Sequence, residues 1–160
     1  MVIRTAKPED LDRLMELELL CVGTAESITK EQLAGRIAVY PQHFYIAWAE
    51  ETPLGFINGM ATDRPTLTDD LFEKARLHEE EGAWQMVFLL CTRPEFRRQG
   101  IGAALLRTLI GDARARNRRG VVLTCKDELI PYYEKFGFHN EGESVSVFGG
   151  AKWYQMRLTF

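Results

Sequence analysis

The sequence predicts one α/β (α+β) domain spanning residues 1–160, and three observations predict it. At 160 residues the chain has the length of one domain and is large enough to bury roughly 70% of the surface it would expose unfolded. Hydrophobic residues make up 46%, charged residues 27% and aromatic residues 11%, a balance that favours a packed core over disorder. β-Prone runs alternate with helical apolar spacing from end to end, and no repeat, linker or low-complexity stretch interrupts them.

Each element has its own signal. Val2 to Thr5 is a β-prone run, and Lys7-Pro8-Glu9-Asp10 behind it places Pro and two acids where the first turn of a helix favours them. Leu11, Leu14, Met15 and Leu19 then recur at helical spacing. Thr29 and Gln32 form a capping box ahead of Leu33, Ile37 and Ala38. This predicts a second helix that Pro41 stops, and leaves Cys21 to Ile28 as a loop or broken helix. His43 to Ala49 and Leu54 to Ala61 are β-prone runs flanking the hairpin punctuation Glu50-Glu51-Thr52-Pro53. Asp63 to Gly82 is polar, acidic and long, a surface loop with room for a short helix around Leu71 to Leu77. Trp84 to Thr92 is a nearly unbroken apolar run ended by Pro94, which predicts a central strand covered on both faces. After Arg97-Arg98-Gln99-Gly100-Ile101-Gly102, the spacing of Leu105, Leu106, Leu109 and Ile110 predicts a helix. Val121 to Cys125 reads as another buried strand and Leu129 to Phe136 as another helix. Phe138 to Gly142 and Lys152 to Thr159 close the chain as strands about a Gly149-Gly150 turn.

Charge and cysteine usage exclude whole classes of function. Lys plus Arg total 20 and Asp plus Glu 23, a formal net charge of −3, so the chain has no global field to hold a nucleic-acid backbone. The longest apolar stretches, Phe44 to Ala49, Met86 to Cys91 and Ile101 to Leu106, fall far below the ~18–20 residues that span a bilayer. Met1-Val2-Ile3-Arg4-Thr5 lacks a signal-peptide pattern. No nucleic-acid partner, no membrane and a cytoplasmic location are the expectations. Cys21, Cys91 and Cys125 are widely separated and form no CxxC, which reads as reduced buried thiols. His43, His78 and His139 are scattered and predict no metal site.

The segment that carries chemistry lies between the unbroken apolar strand and the helix after it. A strand running into a glycine-containing turn and then a helix presents unpaired backbone N–H groups at the positive end of the helix dipole, which suits phosphate. Gly100 and Gly102 permit close approach to the backbone, while Arg97 and Arg98 add mobile positive charge. The plainer alternative is a glycine-started helix with a solvated basic turn. A dinucleotide fingerprint is excluded because Leu105 stands where a third Gly or Ala is needed, and no Gly-Lys-Ser/Thr of a P-loop occurs.

Arg97-x-x-Gly100-x-Gly102, set between Thr92-Arg93-Pro94-Glu95-Phe96 and an amphipathic helix, resembles the acetyl-CoA pyrophosphate loop of the GNAT superfamily of N-acetyltransferases. Ile3-Arg4-Thr5-Ala6-Lys7-Pro8-Glu9-Asp10 is similar to the family's first strand and helix start, and Tyr132-Tyr133-Glu134-Lys135-Phe136-Gly137-Phe138 to its late helix and strand. Within the superfamily the chain resembles arylalkylamine N-acetyltransferases and their bacterial relatives, through Gly55-Phe56-Ile57-Asn58-Gly59-Met60, through Thr124-Cys125-Lys126-Asp127-Glu128-Leu129-Ile130-Pro131, and through Gly149-Gly150 before Trp153-Tyr154. It departs from the animal enzymes where they carry a His-x-His pair, since Met86 and Phe88 stand there. The resemblance implies a mixed, mostly antiparallel central sheet of about seven strands flanked by about four helices. It also implies acetyl-CoA as cosubstrate, no metal, and direct attack of an amine on the thioester.

Site residues follow from the same resemblance. Arg97, Arg98, Gln99, Gly100, Ile101, Gly102 and Ala103 hold the pyrophosphate. Leu90, Cys91 and Thr92 offer backbone groups to pantetheine, with the amide near Leu90 polarising the thioester carbonyl. Tyr133 matches the general acid that protonates the departing thiolate; its neighbour Tyr132 lies ~100° further around the helix, in a different environment. An alkylammonium with a pKa of ~10.4 must lose its proton first, which costs roughly 4.6 kcal/mol near neutral pH. Glu26, Asp63 and His78 are the candidate bases, with Asp63 taken into the catalytic set. Glu26, Phe56, Met86, Phe88 and Trp153 are the candidate acceptor-binding residues, Tyr132 and Phe148 being further aromatics, and the acids of Asp63 to Gly82 offer a rim that attracts cationic amines. The expected acceptor is a primary amine on a small molecule, arylalkylamine- or polyamine-like. A peptide or protein N-acetyltransferase and a catalytically silent CoA-binding module are the alternatives, and a homodimer contact through Ser144 to Phe160 is one the resemblance allows.

Overall fold

The structure, a computed structural model, describes residues 1–160. In chain order its elements are β1 (Val2–Thr5), α1 (Leu11–Glu26), α2 (Lys30–Val39), β2 (Phe44–Ala49), β3 (Thr52–Asn58), β4 (Ala61–Thr62), α3 (Asp69–Glu73), β5 (Trp84–Val87), β6 (Leu89–Thr92), α4 (Ile101–Ala115), β7 (Gly120–Cys125), α5 (Ile130–Glu134), β8 (His139–Glu143) and β9 (Tyr154–Thr159). The mixed fold class is as expected. Its strands form a four-stranded sheet ordered β1-β2-β3-β6 and a five-stranded sheet ordered β4-β5-β7-β9-β8. Every pair is antiparallel except β5 with β7. The chain divides into two compact units, each assembled from two segments: 1–59 with 89–109, and 60–88 with 110–160. No helix is long and apolar enough to cross a membrane.

In the first unit, Leu14, Leu17, Leu33, Ile37, Phe44, Ile46, Phe56 and Ile57 are buried and form the core under α1 and α2. The Thr29 capping box is present in both directions: Gln32 N–H donates to Thr29 Oγ1 at 3.1 Å and Thr29 N–H to Gln32 Oε1 at 3.0 Å. Helix α1 runs further than its apolar spacing shows, to Glu26, and breaks at Gly23, whose φ of 71° lies outside the helical region. The buried Glu18 carboxylate then accepts the Ile28 amide at 2.7 Å, which fixes the return of the chain toward α2.

The apolar run 84–92 is two strands, divided at Phe88. Trp84–Val87 pairs with β4 and β7, whereas Leu89–Thr92 pairs with β3. Trp84–Val87 is buried throughout, whereas Leu89, Leu90 and Thr92 are half-buried, so the expected covering of both faces holds for the first half only. The run is apolar across both, and hydrophobicity alone does not mark the break. In the second unit, β7 approaches β9 so closely at Gly120 that a Cβ there would meet the Leu158 carbonyl at 2.0 Å. The late helix is shorter than predicted, because it is preceded by a 3-10 turn at Asp127–Leu129 and followed by Gly137 at φ 95°.

The segment 63–82 is fastened along its length, unlike the solvated loop its composition suggests. Leu67 and Leu71 are buried. The Asp69 carboxylate accepts from Ser146 Oγ and from the Val147 amide, and Gln155 accepts the Leu67 amide at 3.0 Å. Arg118 donates to the carbonyls of Glu80 and Gly82.

Candidate active site

The first unit carries the elements expected to hold a cofactor. Strand β6 lies at the end of its sheet. Arg93 N–H donates to the Leu54 carbonyl at 2.6 Å, so in this antiparallel register Cys91 and Leu89 make the hydrogen-bonded pairs with Phe56 and Asn58. The peptide groups of Leu90 and Thr92 therefore turn to the opposite edge, where this sheet has no further strand. Cys21 Sγ and Arg97 Nε reach the outward Thr92 carbonyl at 3.4 and 3.3 Å. Gly55 keeps this strand pair close: a Cβ there would stand 2.5 Å from the Cys91 carbonyl oxygen.

Beyond a 3-10 turn at Pro94–Phe96, residues 97–100 are exposed and lead into α4. Gly100 takes φ 82° and Arg98 φ 64°. The first intrahelical bond of α4 is Ala104 N–H to the Gly100 carbonyl at 3.0 Å, so the amides of residues 101–103 have no earlier helical carbonyl to pair with. A 15-residue helix behind them and two exposed arginines beside them give this turn the chemistry of an anion site.

The second unit carries the tyrosine and most of the aromatics. Tyr133 is buried, and burial pushes its hydroxyl well above the ordinary phenol range, with Cys125 and Tyr132 adding to the effect. Such a phenol keeps its proton across the physiological range and has it available to donate. Tyr132 is half-buried, and the two rings meet edge to face at 5.2 Å, so neighbours with different burial nonetheless touch. Phe88, Phe148 and Trp153 are joined through a residue that the sequence reading missed. Phe72, on α3, meets Phe88 at 5.4 Å and Phe148 at 4.4 Å, and Phe148 meets Trp153 at 6.5 Å. All four are half-buried. The Leu71-Phe72 doublet inside an acidic stretch was the available signal, outweighed by the polarity around it.

The remaining candidates lie elsewhere. Phe56 is in the core of the first unit against Phe44, with no exposed surface. Met86 is fully buried in β5. Glu26 is the last residue of α1 and is half-buried. Asp63 is exposed, and its carboxylate accepts the Ala83 amide at 3.0 Å. His78 Nδ1 accepts the Ala61 amide at 3.1 Å, which places the ring proton on Nε2 toward Glu80. The acidic rim is largely internal in its partners: Glu79 binds Thr62, Glu80 binds Arg116 and Arg118, Asp70 binds Arg64, and Asp69 binds Ser146.

Comparison with known proteins turns this chemistry into a class: the chain is an acyltransferase. The family model described as "Acetyltransferase (GNAT) domain" matches residues 20–160. The chain belongs to the GNAT acetyltransferase family. It is 33% identical over 163 residues to a serotonin N-acetyltransferase of Macaca mulatta, covering 98% of this chain and 77% of the relative. Among solved structures it is similar to the loading GNATL domain of CurA from Lyngbya majuscula, with a TM-score of 0.86 and 21% identity over 99% of this chain and 96% of that one. It is also similar to the GphF GNAT-like decarboxylase in complex with isobutyryl-CoA, with a TM-score of 0.80 and 21% identity over 99% of both chains.

Proposed function

We propose that this protein transfers the acetyl group of acetyl-CoA to the primary amine of a small arylalkylamine. The acceptor class rests on the joined ring set of Phe72, Phe88, Phe148 and Trp153, which offers π faces and edges to a flat ring. The likeness to serotonin N-acetyltransferases over nearly the whole chain supports it.

In this reading the pyrophosphate sits on the amides and arginines of residues 97–103. Pantetheine pairs with the outward peptide groups of Leu90 and Thr92 as an added strand, and the Leu90 amide polarises the thioester carbonyl. The neutral amine attacks that carbon, the C–S bond breaks, and Tyr133 donates its proton to the departing thiolate. With Met86 on β5 and Phe88 just after it, amine deprotonation has no histidine relay there. The enzyme draws on the neutral fraction of the amine, so kcat/KM rises about tenfold per pH unit toward the amine's own pKa.

The test is release of CoA thiol from acetyl-CoA across phenylethylamine-type amines, polyamines, and peptides with free N-termini or lysines. Turnover of the arylalkylamines with the stated pH slope supports the proposal. Turnover of peptides alone, or acetyl-CoA binding without turnover of any acceptor, overturns it in favour of a peptide acetyltransferase or a silent CoA-binding module respectively.

A further inference from the structure

One of the four acceptor rings, Phe148, sits on a stretch of chain that apolar burial does little to hold. Between β8 and β9, Val145 and Val147 are 70% and 74% exposed, and Gly149 and Gly150 take φ 63° and 70°. From Ser144 to Ala151 only Ser146, a polar residue, is buried. The turn therefore owes its position to hydrogen bonds and to the ring it sends back to Phe72.

Those hydrogen bonds converge on one carboxylate. Asp69, the first residue of α3, accepts the Ser146 hydroxyl at 2.5 Å on one oxygen and the Val147 amide at 3.1 Å on the other. The same hydroxyl accepts the Phe148 amide at 3.3 Å, so its single proton is committed to Asp69 and a lone pair to the residue that bears the ring. The Phe148 carbonyl in turn accepts the Trp153 indole N–H at 2.8 Å. Ser144 closes the arrangement: its hydroxyl accepts the Ser146 amide at 3.0 Å, and its own amide donates to the Trp153 carbonyl at 2.7 Å. Phe72 stands three residues after Asp69, a neighbour on the helix surface, and meets Phe148 at 4.4 Å. Helix α3 thus grips the turn twice, through charge-assisted hydrogen bonds at its start and through a ring near its end.

We infer that Asp69 and Ser146 set the preference for a ring-bearing amine, as positioning residues that hold Phe148, and through it Trp153, against Phe72. The inference rests on the arylalkylamine reading and adds to it the residues that decide selectivity. Neither group has to touch the acceptor, since both act through the Phe148 backbone. With the link cut, the exposed turn loses its anchor and the rings of Phe148 and Trp153 lose their fixed placement. A flat acceptor ring, whose contacts depend on the angle and distance of the rings it meets, then loses more than a straight alkyl chain does.

The test compares wild type, Ser146→Ala, Asp69→Asn and the double variant with phenylethylamine and hexylamine, by CoA thiol release at saturating acetyl-CoA. Ser146→Ala is expected to lower kcat/KM for phenylethylamine relative to hexylamine by roughly three- to tenfold, the scale of one aromatic contact. The loss should fall on the phenylethylamine KM, with the acetyl-CoA KM unmoved. The double variant should lose less than the product of the two single effects, because the residues share one hydrogen bond. A second readout needs no acceptor. The Trp153 indole N–H, two hydrogen bonds removed from the replaced hydroxyl, should exchange its hydrogen faster in Ser146→Ala, read by NMR, while the amides of the β7–β9 pair keep their rates. A wild type that turns over no arylalkylamine removes the acceptor reading and this inference with it. A wild type that turns over phenylethylamine, with its ratio to hexylamine unchanged in Ser146→Ala, overturns this inference alone. Equal losses for both amines, or an unchanged indole exchange rate, do the same.

Discussion

In the proposed mechanism Tyr133 is the proton donor, and burial pushes its hydroxyl further above the ordinary phenol range. Removing only the hydroxyl isolates that proton. Tyr133→Phe is expected to lower kcat by about 10²-fold, the ordinary scale for a lost general acid, with the Kd for acetyl-CoA unchanged; an equal kcat removes Tyr133 from the mechanism. Gly55 matters for a steric reason. An added methyl would stand 2.5 Å from the Cys91 carbonyl oxygen and 3.2 Å from the Thr92 Cα, and backbone on both sides leaves nothing flexible to yield. Gly55→Ala is therefore expected to cost about 1–3 kcal/mol in urea unfolding and to weaken acetyl-CoA binding, because β6 is the strand that must move. Calorimetric titration of CoA into the folded variant measures the second effect separately.

Among the elements, α3 is the one whose proposed role in acceptor binding its length conceals. Five residues make a helix too short to persist alone, and it is held by buried Leu71 and by the Asp69 contacts to Ser146 and Val147. It presents Phe72 to Phe88 and Phe148. Phe72→Ala is expected to raise the arylalkylamine KM by roughly tenfold, in line with the loss of one aromatic contact, while the acetyl-CoA KM stays put; a uniform loss of both assigns Phe72 to folding. This element also shows why part of the molecule was legible in the sequence and part was not. The Thr29 capping box, Pro41 and the glycine turn before α4 act through neighbours a few residues away, so spacing reveals them. Phe72 joins Phe148, 76 residues along the chain, and the division at Phe88 depends on which strand lies beside each half. Asp63 and Phe56 show the complementary limit: residue type suggests a base and a pocket wall, but the hydrogen bond from Ala83 and the packing on Phe44 are set by residues distant in the chain.

At the scale of the whole molecule, stability against pH is set by groups of opposite sign. Asp70 is held down at about 2 by the Thr68 hydroxyl and Arg64. Asp10 is also lowered: burial opposes this, but Arg4 and the Lys7 amide outweigh it. Arg157 lowers Glu141 despite partial burial. Each favours the fold above the ordinary carboxylate pKa of about 4, and that contribution is lost as the pH falls through the lowered native values. Glu18 does the reverse. Burial raises its pKa, with the Ile28 amide and Arg36 pulling against it. Below about 4.3 it is protonated in both states, and as the pH rises the unfolded chain ionises first. Stability from Glu18 is therefore present at low pH and declines until the native carboxyl has titrated too. Glu18→Gln keeps an oxygen for the Ile28 amide and removes the titration, so urea midpoints of the variant should lose the neutral-side decline while the acid-side loss remains. Parallel wild-type and variant curves from pH 4 to 8 would mean that Glu18 titrates in the folded protein as it does in the unfolded chain.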